Sequence, residues 1–182
     1  MNKQSEPELE QIIKGCIRNN RNSQNELYKL YYSYAMSVSI RYVKNETDAI
    51  TVTNDSFLKV FRYIKKYNTQ QPFKPWFRKI LVNTALTHIQ KQSKMKMLEN
   101  IEDVKGVTAR EDVLSRIGYK ELLVMVQSLS TAYRTVFNMY IIDGFKHREI
   151  AQKLGITEAS SKSNLARARA KLKDLVTEEI NS

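Results

Sequence analysis

Small polar and basic side chains near the C-terminal end of the sequence have types and spacing suited to hydrogen bonding and to holding anions. Residues 147–173 read HREIAQKLGITEASSKSNLARARAKLK, in which a short segment of helical apolar spacing meets Gly155 and a second helical segment begins. Gly155 suits the left-handed conformation at a helix end, and Thr157 is placed to cap the next helix. The pattern predicts a helix–turn–helix.

The second predicted helix has two unlike sides. Ser161, Leu165, Ala168 and Leu172 share one side at helical spacing, and three of these four are apolar, so we expect this side to be buried. Small hydrogen-bonding groups can approach base edges in a DNA major groove, and cations can neutralise phosphates. The opposite side and the preceding helix supply the candidate DNA-contacting residues, which are Arg148, Ser160, Ser163, Asn164, Arg167 and Lys171. The alternative is a basic face that is merely solvated.

The composition supports an anionic partner and a helical fold. The 182 residues carry a formal charge of +11, for which nucleic acid is the leading candidate and an anionic membrane surface the rival. Glycine and proline are scarce, with five and three residues, and long β-branched runs are few. Such a composition favours an all-α protein.

Several functional classes lack support in the sequence. No nucleophile–base pair, phosphate-cradling glycine loop or metal-ligand cluster is present, so we predict no enzymatic activity, no cofactor and no small-molecule substrate. Cys16 is the only cysteine, and His88 and His147 stand apart. The acidic N-terminal segment is unlike a signal peptide, and no apolar run is long enough to span a bilayer. We therefore expect a cytoplasmic protein that is not integral to a membrane.

Apolar periodicity divides the chain into two lobes, which predicts two small helical domains joined by a flexible linker. Domain 1–91 holds predicted helices, and domain 112–182 holds four more that include the helix–turn–helix. Between them, residues 92–111 lack a strong apolar stripe, and acids outnumber cations in their second half, so we assign them to an acidic linker. The predicted helices of the first lobe are 6–20, 23–43, 46–66 and 73–91.

The second lobe resembles region 4 of the extracytoplasmic-function (ECF) group of bacterial sigma-70 family factors. The stretch LSTAYRTVFNMYIIDGFKHREIAQKLGITEASSKSNLARARAKL carries that resemblance. The first lobe resembles region 2 of the same group, through DAITVTNDSFLKVFRYI and FKPWFRKILVNTALTHIQKQSK. Two motifs in the right order are far more specific than either alone.

The resemblance implies an alternative sigma factor that binds core RNA polymerase and directs it to promoters with −10 and −35 elements. Region 4 would read the −35 element through the candidate residues named above. Region 2 would dock on the clamp of the β′ subunit, and residues at or near that interface would be Asn54, Asp55, Phe57, Leu58 and Phe61. Phe57 and Phe61 could instead be core residues. The resemblance also implies an anti-sigma protein as a partner.

The loop YNTQQPFKP would capture a base flipped out of the −10 element, because a polar or aromatic pocket can offset lost stacking. A basic stripe on the following helix would contact the −10 backbone and base edges. Together these −10 candidates are Tyr67, Asn68, Gln70, Gln71, Lys74, Arg78, Lys79, Asn83 and Lys91. For Trp76, at the start of that helix, a core position is favoured over a place beside the melted strand.

Three departures from the family pattern bear on these expectations. Ile50 and Thr51 replace a usual acidic pair, and Asn54-Asp55 stands where Gln-Glu is common. Ser161 occupies a position usually filled by a small apolar residue, which leaves a void or a buried hydroxyl that costs about 1 kcal/mol unless it finds a partner. A stand-alone helix–turn–helix regulator is the alternative function, but it gives the first lobe no role.

Overall fold

The computed structural model of the protein describes residues 6–99 and 118–180, and all regular structure in those two ranges is helical. The all-α fold predicted from the sequence is confirmed. Contacts divide the chain into two compact units, Met1–Glu99 and Asn100–Ser182, here called unit 1 and unit 2.

Unit 1 is a helical bundle in which α2 packs against α1, α3 and α4. Its elements are α1 (Glu6–Ile17), α2 (Arg21–Tyr42), α3 (Glu46–Tyr63), a 3-10 turn (Ile64–Lys66) and α4 (Phe73–Glu99). Two asparagines begin its helices: Asn20 accepts the Ser23 N–H at 3.0 Å, and Asn45 accepts the Asp48 N–H at 2.7 Å. Such caps satisfy backbone donors that the first helical turn leaves free.

The last helix of unit 1 is longer than the sequence pattern indicated. Helix α4 runs to Glu99, so residue 91, where we expected the first domain to end, lies inside it. The segment 92–99 contains neither glycine nor proline and is rich in Lys, Met and Leu, which have good helix propensity. A weak apolar stripe therefore did not stop the helix. The rest of the predicted linker, residues 100–111, lies outside the described residues.

An aromatic cluster forms the centre of unit 1. The Phe77 ring, fully buried on α4, lies 5.0 Å from Phe57, 5.7 Å from Phe73 and 6.0 Å from Tyr31, measured between ring centroids. These tilted and edge-on pairs are favoured arrangements for aromatic side chains. The cluster holds α2, α3 and α4 together and fixes the start of α4, where the predicted −10 loop ends.

Unit 2 contains the predicted helix–turn–helix. Its described elements are α5 (Tyr119–Ser128), α6 (Thr131–Phe137), a π-helical turn (Asn138–Ile142), α7 (His147–Leu154) and α8 (Glu158–Ile180). Ser130 caps α6 by accepting the Tyr133 N–H at 3.4 Å. The sequence pattern starts the helix that corresponds to α5 earlier, but residues 112–117 lie outside the described residues.

The turn between α7 and α8 has the predicted geometry. Gly155 adopts φ 68° and ψ 34°, in the left-handed region, and the Ile156 N–H donates to the Ala151 carbonyl at 3.1 Å. A glycine is favoured there because side chains rarely adopt this conformation. The turn therefore fixes the direction in which α8 leaves α7.

A buried guanidinium joins the first two helices of unit 2. Arg134 on α6 is 2% exposed, and its Nη1 donates to the carbonyls of Gln127 at 3.0 Å and Leu129 at 3.1 Å. Burial lowers the pKa of Arg134 to about 10, so the group is still charged at neutral pH. The cation lies at the C-terminal end of α5, where helix carbonyls lack intrahelical partners.

The buried Ser161 hydroxyl has a partner that the sequence did not reveal. Its Oγ lies 2.9 Å from Nδ1 of His147, the first residue of α7, and Ser161 is fully buried. The His147 ring stacks on Tyr140 with a centroid separation of 4.4 Å. The expected cost of an unpartnered hydroxyl is thus avoided, and α8 is tied to α7 and to the π-helical turn.

The Arg134 contacts yield a stability prediction. Replacement of Arg134 by Met leaves the Gln127 and Leu129 carbonyls without this donor, so we expect the free energy of unfolding of unit 2 to fall by about 1–3 kcal/mol. Trp76 is the only tryptophan and lies in unit 1, so its fluorescence follows unit 1 while far-UV circular dichroism follows both units. Urea titration should therefore shift the dichroism transition and leave the fluorescence transition in place. The control is Arg169→Met, which replaces an exposed arginine. Equal stability of the two variants would contradict the structural role assigned to Arg134.

The His147–Ser161 contact is tested by a double-mutant cycle. His147→Phe keeps an aromatic ring against Tyr140 but removes the hydrogen bond, and Ser161→Ala removes the hydroxyl. We expect the double variant to lose about 0.5–1.5 kcal/mol less than the sum of the single losses, because each single change leaves a polar partner unpaired. Thermal or urea unfolding of all four proteins measures this difference. Strictly additive losses would mean that the two side chains do not interact.

Candidate nucleic-acid and polymerase interfaces

The start of α8 is built by the turn that precedes it. The Thr157 Oγ1 accepts the Ser160 N–H at 3.0 Å and also lies 2.8 Å from the Ser160 hydroxyl, so Thr157 caps α8 as predicted. Ser161, Leu165 and Ala168 are buried, with 0%, 4% and 0% exposure, and Leu172 is half-buried. The buried side of the predicted recognition helix is therefore the one that its spacing indicated.

The candidate DNA-contacting side chains of unit 2 lie on the surface, but not all on the side opposite the core. Residues 160, 164, 167 and 171 are three or four apart, so they form one stripe about a quarter of a turn from the buried side. Residue 163 lies further round the helix. Of the six candidates, Asn164 is half-buried. The other five are exposed: Arg148, Ser160, Ser163, Arg167 and Lys171.

Two of these side chains have partners within unit 2. The Ser160 hydroxyl shares a hydrogen bond with the Thr157 cap, and the Arg167 Nη1 lies 3.5 Å from the Tyr133 hydroxyl on α6. The second contact is long, so it orients the guanidinium more than it binds it. Sequence spacing could not reveal Tyr133, which lies 34 positions before Arg167. The contact with Tyr133 leaves further donors on Arg167 free for a ligand.

The electrostatics of this surface favour an anion. Among the described residues, Arg148, Arg167 and Lys171 form no ion pair with a carboxylate. Exposed cations without acidic partners keep a positive field over the α8 stripe. Arg169 and Lys173 are also exposed on the same helix.

The predicted base-capturing loop of unit 1 is a compact turn fixed from within. The Tyr67 hydroxyl donates to the Gln71 carbonyl, and the Asn68 Oδ1 accepts the Gln70 N–H at 3.0 Å. The Gln71 N–H also donates to the Asn68 carbonyl at 3.0 Å. Asn68, Gln70 and Gln71 are exposed, so their side-chain amides face solvent.

Tyr67 requires a correction, because its ring is part of the core. It is 8% exposed and lies 4.9 Å from Trp76 and 5.6 Å from Phe73 between ring centroids. Burial raises the pKa of the Tyr67 hydroxyl. The ring therefore supports the loop from below and does not offer a free face to a base. Trp76, for which a core position was favoured, is half-buried against the same two rings.

The −10 candidates of α4 do not form the expected single stripe. Lys74 and Arg78 are four residues apart, as are Lys79 and Asn83, but a step of five residues separates the pairs around the helix. The Lys74 Nζ lies 4.7 Å from the Tyr34 ring centroid, a cation–π contact. Arg78 is half-buried and Lys74, Lys79, Asn83 and Lys91 are exposed.

The predicted polymerase-docking residues lie on α3. Asn54 and Asp55 are exposed, and Leu58 is 64% exposed. The Asn54 Oδ1 accepts a hydrogen bond from the Tyr28 hydroxyl at 3.1 Å. That contact orients the Asn54 amide. The neighbouring Asp55 carboxylate is exposed and can face a partner.

Phe57 also requires a correction. It is 2% exposed and packs between Tyr28 at 4.6 Å and Phe77 at 5.0 Å, so it belongs to the core of unit 1 and not to the outer surface of α3. Phe61 is half-buried, 6.2 Å from Phe57. One of the two phenylalanines is thus a core residue, and the other is partly accessible.

Neither a metal centre nor a membrane span occurs among residues 6–99 and 118–180. No group of three or more His, Cys, Asp or Glu side chains in these ranges could hold a metal ion. The single His88–Asp48 contact, at 3.0 Å, joins α4 to the start of α3, and Gln92 donates to the same carboxylate at 2.9 Å. No described helix is both long and apolar enough to cross a membrane.

Comparison with known proteins identifies relatives along nearly the whole chain. The sequence is 27% identical over 169 residues to RNA polymerase sigma factor SigV of Bacillus subtilis, which covers 92% of this chain and 93% of the relative. It is 25% identical over 161 residues to ECF RNA polymerase sigma factor SigM of the same organism, with 86% and 97% coverage. The fold resembles that of the sigma factor RpoE in its complex with the anti-sigma factor NepR from Bartonella quintana, with a TM-score of 0.58, 17% identity, and 84% and 96% coverage.

Family models match both units. The model of Sigma-70 region 2 matches residues 27–95, and that of Sigma-70 region 4 matches residues 119–172. The first match includes α3, the −10 loop and most of α4, and the second includes α7, the turn and α8 as far as Leu172. The two regions occur in the order expected from the sequence resemblance, and together they include most of the chain. The chain belongs to the ECF group of the sigma-70 family, the sigma factors that direct transcription initiation.

Proposed function

We propose that this chain works as an alternative sigma factor through three surfaces: α8 for the −35 element, the 67–71 loop with α4 for the −10 element, and α3 for core RNA polymerase. The observation that carries the proposal is the match of both sigma regions, each with most of its candidate residues exposed. A stand-alone regulator is not favoured, because it gives the region 2 match no role.

At the −35 element, the α8 stripe suits the major groove. An arginine can form two hydrogen bonds to guanine, and small polar residues near the start of a recognition helix approach base edges. Arg167 is held toward α6 by Tyr133, so it enters the groove with part of its conformational freedom already restricted. Asn164 and Ser163 are the other base-edge candidates, while Arg148 and Lys171 suit phosphates.

At the −10 element, the exposed amides of Asn68, Gln70 and Gln71 supply donors and acceptors for an unpaired base. The buried Tyr67 ring supports the turn without contacting the base itself. Of the α4 candidates, Lys79 and Asn83 share one side of the helix, and Lys74 is already engaged with Tyr34. We therefore assign Lys79 and Asn83 to DNA and treat Lys74 as a supporting charge.

The polymerase surface centres on Asp55 and Leu58. An exposed carboxylate beside an exposed leucine provides one charge-directed and one apolar contact, which together favour a protein partner. Asn54 and Phe61 flank them. The reaction chemistry then belongs to the polymerase, so we propose that this chain is not an enzyme and needs no cofactor.

We propose a cytoplasmic location, where core polymerase and promoter DNA are found, and an anti-sigma protein as a further partner. The similar RpoE structure contains an anti-sigma factor, NepR, which supports an inhibitor of this kind. An inhibitor that covers the α3 surface or the α8 stripe would block polymerase or promoter binding.

The whole proposal is tested by reconstitution. The purified chain is mixed with bacterial core RNA polymerase, the complex is isolated by gel filtration, and run-off transcription is measured on a genomic promoter library. Formation of a complex that transcribes a defined set of promoters with shared −10 and −35 elements supports the proposal. DNA binding without any association with polymerase would replace it with the stand-alone regulator.

The −35 assignment predicts the effect of Arg167→Ala. If this side chain reads a base, we expect promoter binding by holoenzyme to weaken by about 1–3 kcal/mol and discrimination at one −35 position to relax. Quantitative binding to promoters with each base at each −35 position measures both effects. Arg169→Ala, on another side of α8, is the control. A loss that is equal on every sequence would make Arg167 a phosphate contact.

The clamp assignment predicts the effect of Asp55→Ala. We expect affinity for core polymerase to fall by at least about 2 kcal/mol, roughly thirtyfold, if the carboxylate pairs with a buried cation of the partner. Glu26→Ala removes another exposed carboxylate of unit 1 and serves as the control. Fluorescence titration of labelled chain with core polymerase measures the affinities. Unchanged affinity of the Asp55 variant would remove α3 from the interface.

A further inference from the structure

Exposed aromatic and basic side chains surround the 3-10 turn that ends α3. The buried Ile64 anchors this turn, and Arg62, Tyr63, Lys65 and Lys66 on either side of it are exposed. We call Tyr63, Lys65 and Lys66 the Tyr63 patch. None of its residues belongs to the −10 or clamp sets assigned above.

The Tyr63 ring is not accounted for by packing within unit 1. It is 43% exposed, and its described ring contact is with the Lys66 Nζ, 6.0 Å from the ring centroid. Among the described residues, neither Lys65 nor Lys66 forms an ion pair with a carboxylate. The patch thus combines an accessible aromatic face with two cations that have no acidic partner.

The patch is joined rigidly to the −10 loop. The Tyr67 N–H donates to the Ile64 carbonyl at 3.1 Å, so the turn runs directly into the compact loop formed by residues 67–71. Helix α1 also packs against this turn. Only this three-residue turn separates Tyr63 from the loop, so we expect a strand that places a base at Gln70 and Gln71 to extend toward Tyr63.

The chemistry of the patch fits a single strand better than a duplex. In a duplex the base faces are covered by stacking, whereas in a melted strand they are free to stack on an aromatic ring. We propose that Tyr63 stacks on an unpaired base of the melted promoter strand, next to the captured base, while Lys65 and Lys66 hold the adjoining phosphates. This inference rests on the proposed opening of the −10 element by unit 1, and it adds a second contact to that strand.

The test uses the full-length chain and two fluorescently labelled 20-nucleotide strands, one with bases and one fully abasic. Fluorescence anisotropy gives the affinity for each strand, and their ratio isolates the contribution of the bases. We expect Tyr63→Ala to weaken binding to the strand with bases roughly 5- to 150-fold and to leave the abasic strand nearly unaffected. Tyr63→Phe keeps the ring, so it should retain the affinity of the parent chain.

The lysines are tested through salt dependence. For the double variant Lys65→Ala/Lys66→Ala we expect the slope of log affinity against log salt concentration to fall by about 1.4 on both strands, because each phosphate contact on a single strand contributes about 0.7. The control is Lys29→Ala/Lys44→Ala, which removes the same charge from exposed positions on and just after α2. Equal changes in both double variants would reduce the patch to a general charge effect and overturn the inference.

Two further outcomes are decisive. If the parent chain binds neither strand, or if Tyr63→Ala changes both strands equally, the stacking contact does not exist. If the patch variants lose affinity for core polymerase but retain that for both strands, the partner is a protein surface, and the inference is wrong. Failure of the parent chain to bind core polymerase would instead count against the proposed function, because the strand measurements do not involve polymerase.

Discussion

Unit 2 depends on the buried guanidinium of Arg134. A charged group taken out of water must recover hydrogen bonds, and it finds them on the carbonyls that end α5. This contact fixes α6 relative to α5, and α6 is the main partner of α8 within the unit. The orientation of the recognition helix therefore rests on one polar interaction beneath the surface as much as on the small apolar core.

Tyr133, on the same helix as Arg134, reaches the outer side and touches Arg167. Helix α6 thus connects the buried charge to the charge that would read DNA.

In unit 1, aromatic rings fix the positions of the helices. Phe77 and its neighbours hold three helices together, and the adjoining cluster of Tyr67, Phe73 and Trp76 fixes the loop from below. The loop can then present polar groups outward without losing its shape. A rigid support reduces the conformational entropy that a captured strand must overcome, which favours binding. The aromatic residues of this region therefore contribute most as a foundation for the polar groups that face solvent.

The sequence was sufficient for the features that periodicity and turn chemistry control. The all-α fold, the left-handed Gly155, the Thr157 cap and the buried side of α8 all follow from local spacing, and the structure confirms them. It was not sufficient for features that depend on contacts distant along the chain. Phe57 and Tyr67 lie in segments with functional patterns, yet long-range packing buries both. The partner of Ser161 could not be foreseen either, since a buried hydroxyl can be satisfied by any nearby polar group and only the fold brings His147 to it.

These corrections change how the DNA-facing surfaces should be understood. On α8, the polar stripe borders the core, and two of its members, Ser160 and Arg167, touch residues of the turn and of α6. A side chain with such a contact has one side held by the protein and the other open to a ligand, which restricts its rotamers before binding. Arg169 and Lys173 lie on another side of α8 without a described side-chain contact, and a flexible cation serves phosphates better than base edges. For Arg167, the contact with Tyr133 therefore favours base reading over phosphate holding, and the same reasoning separates Gln70 and Gln71, on a braced loop, from the exposed Lys91 on α4.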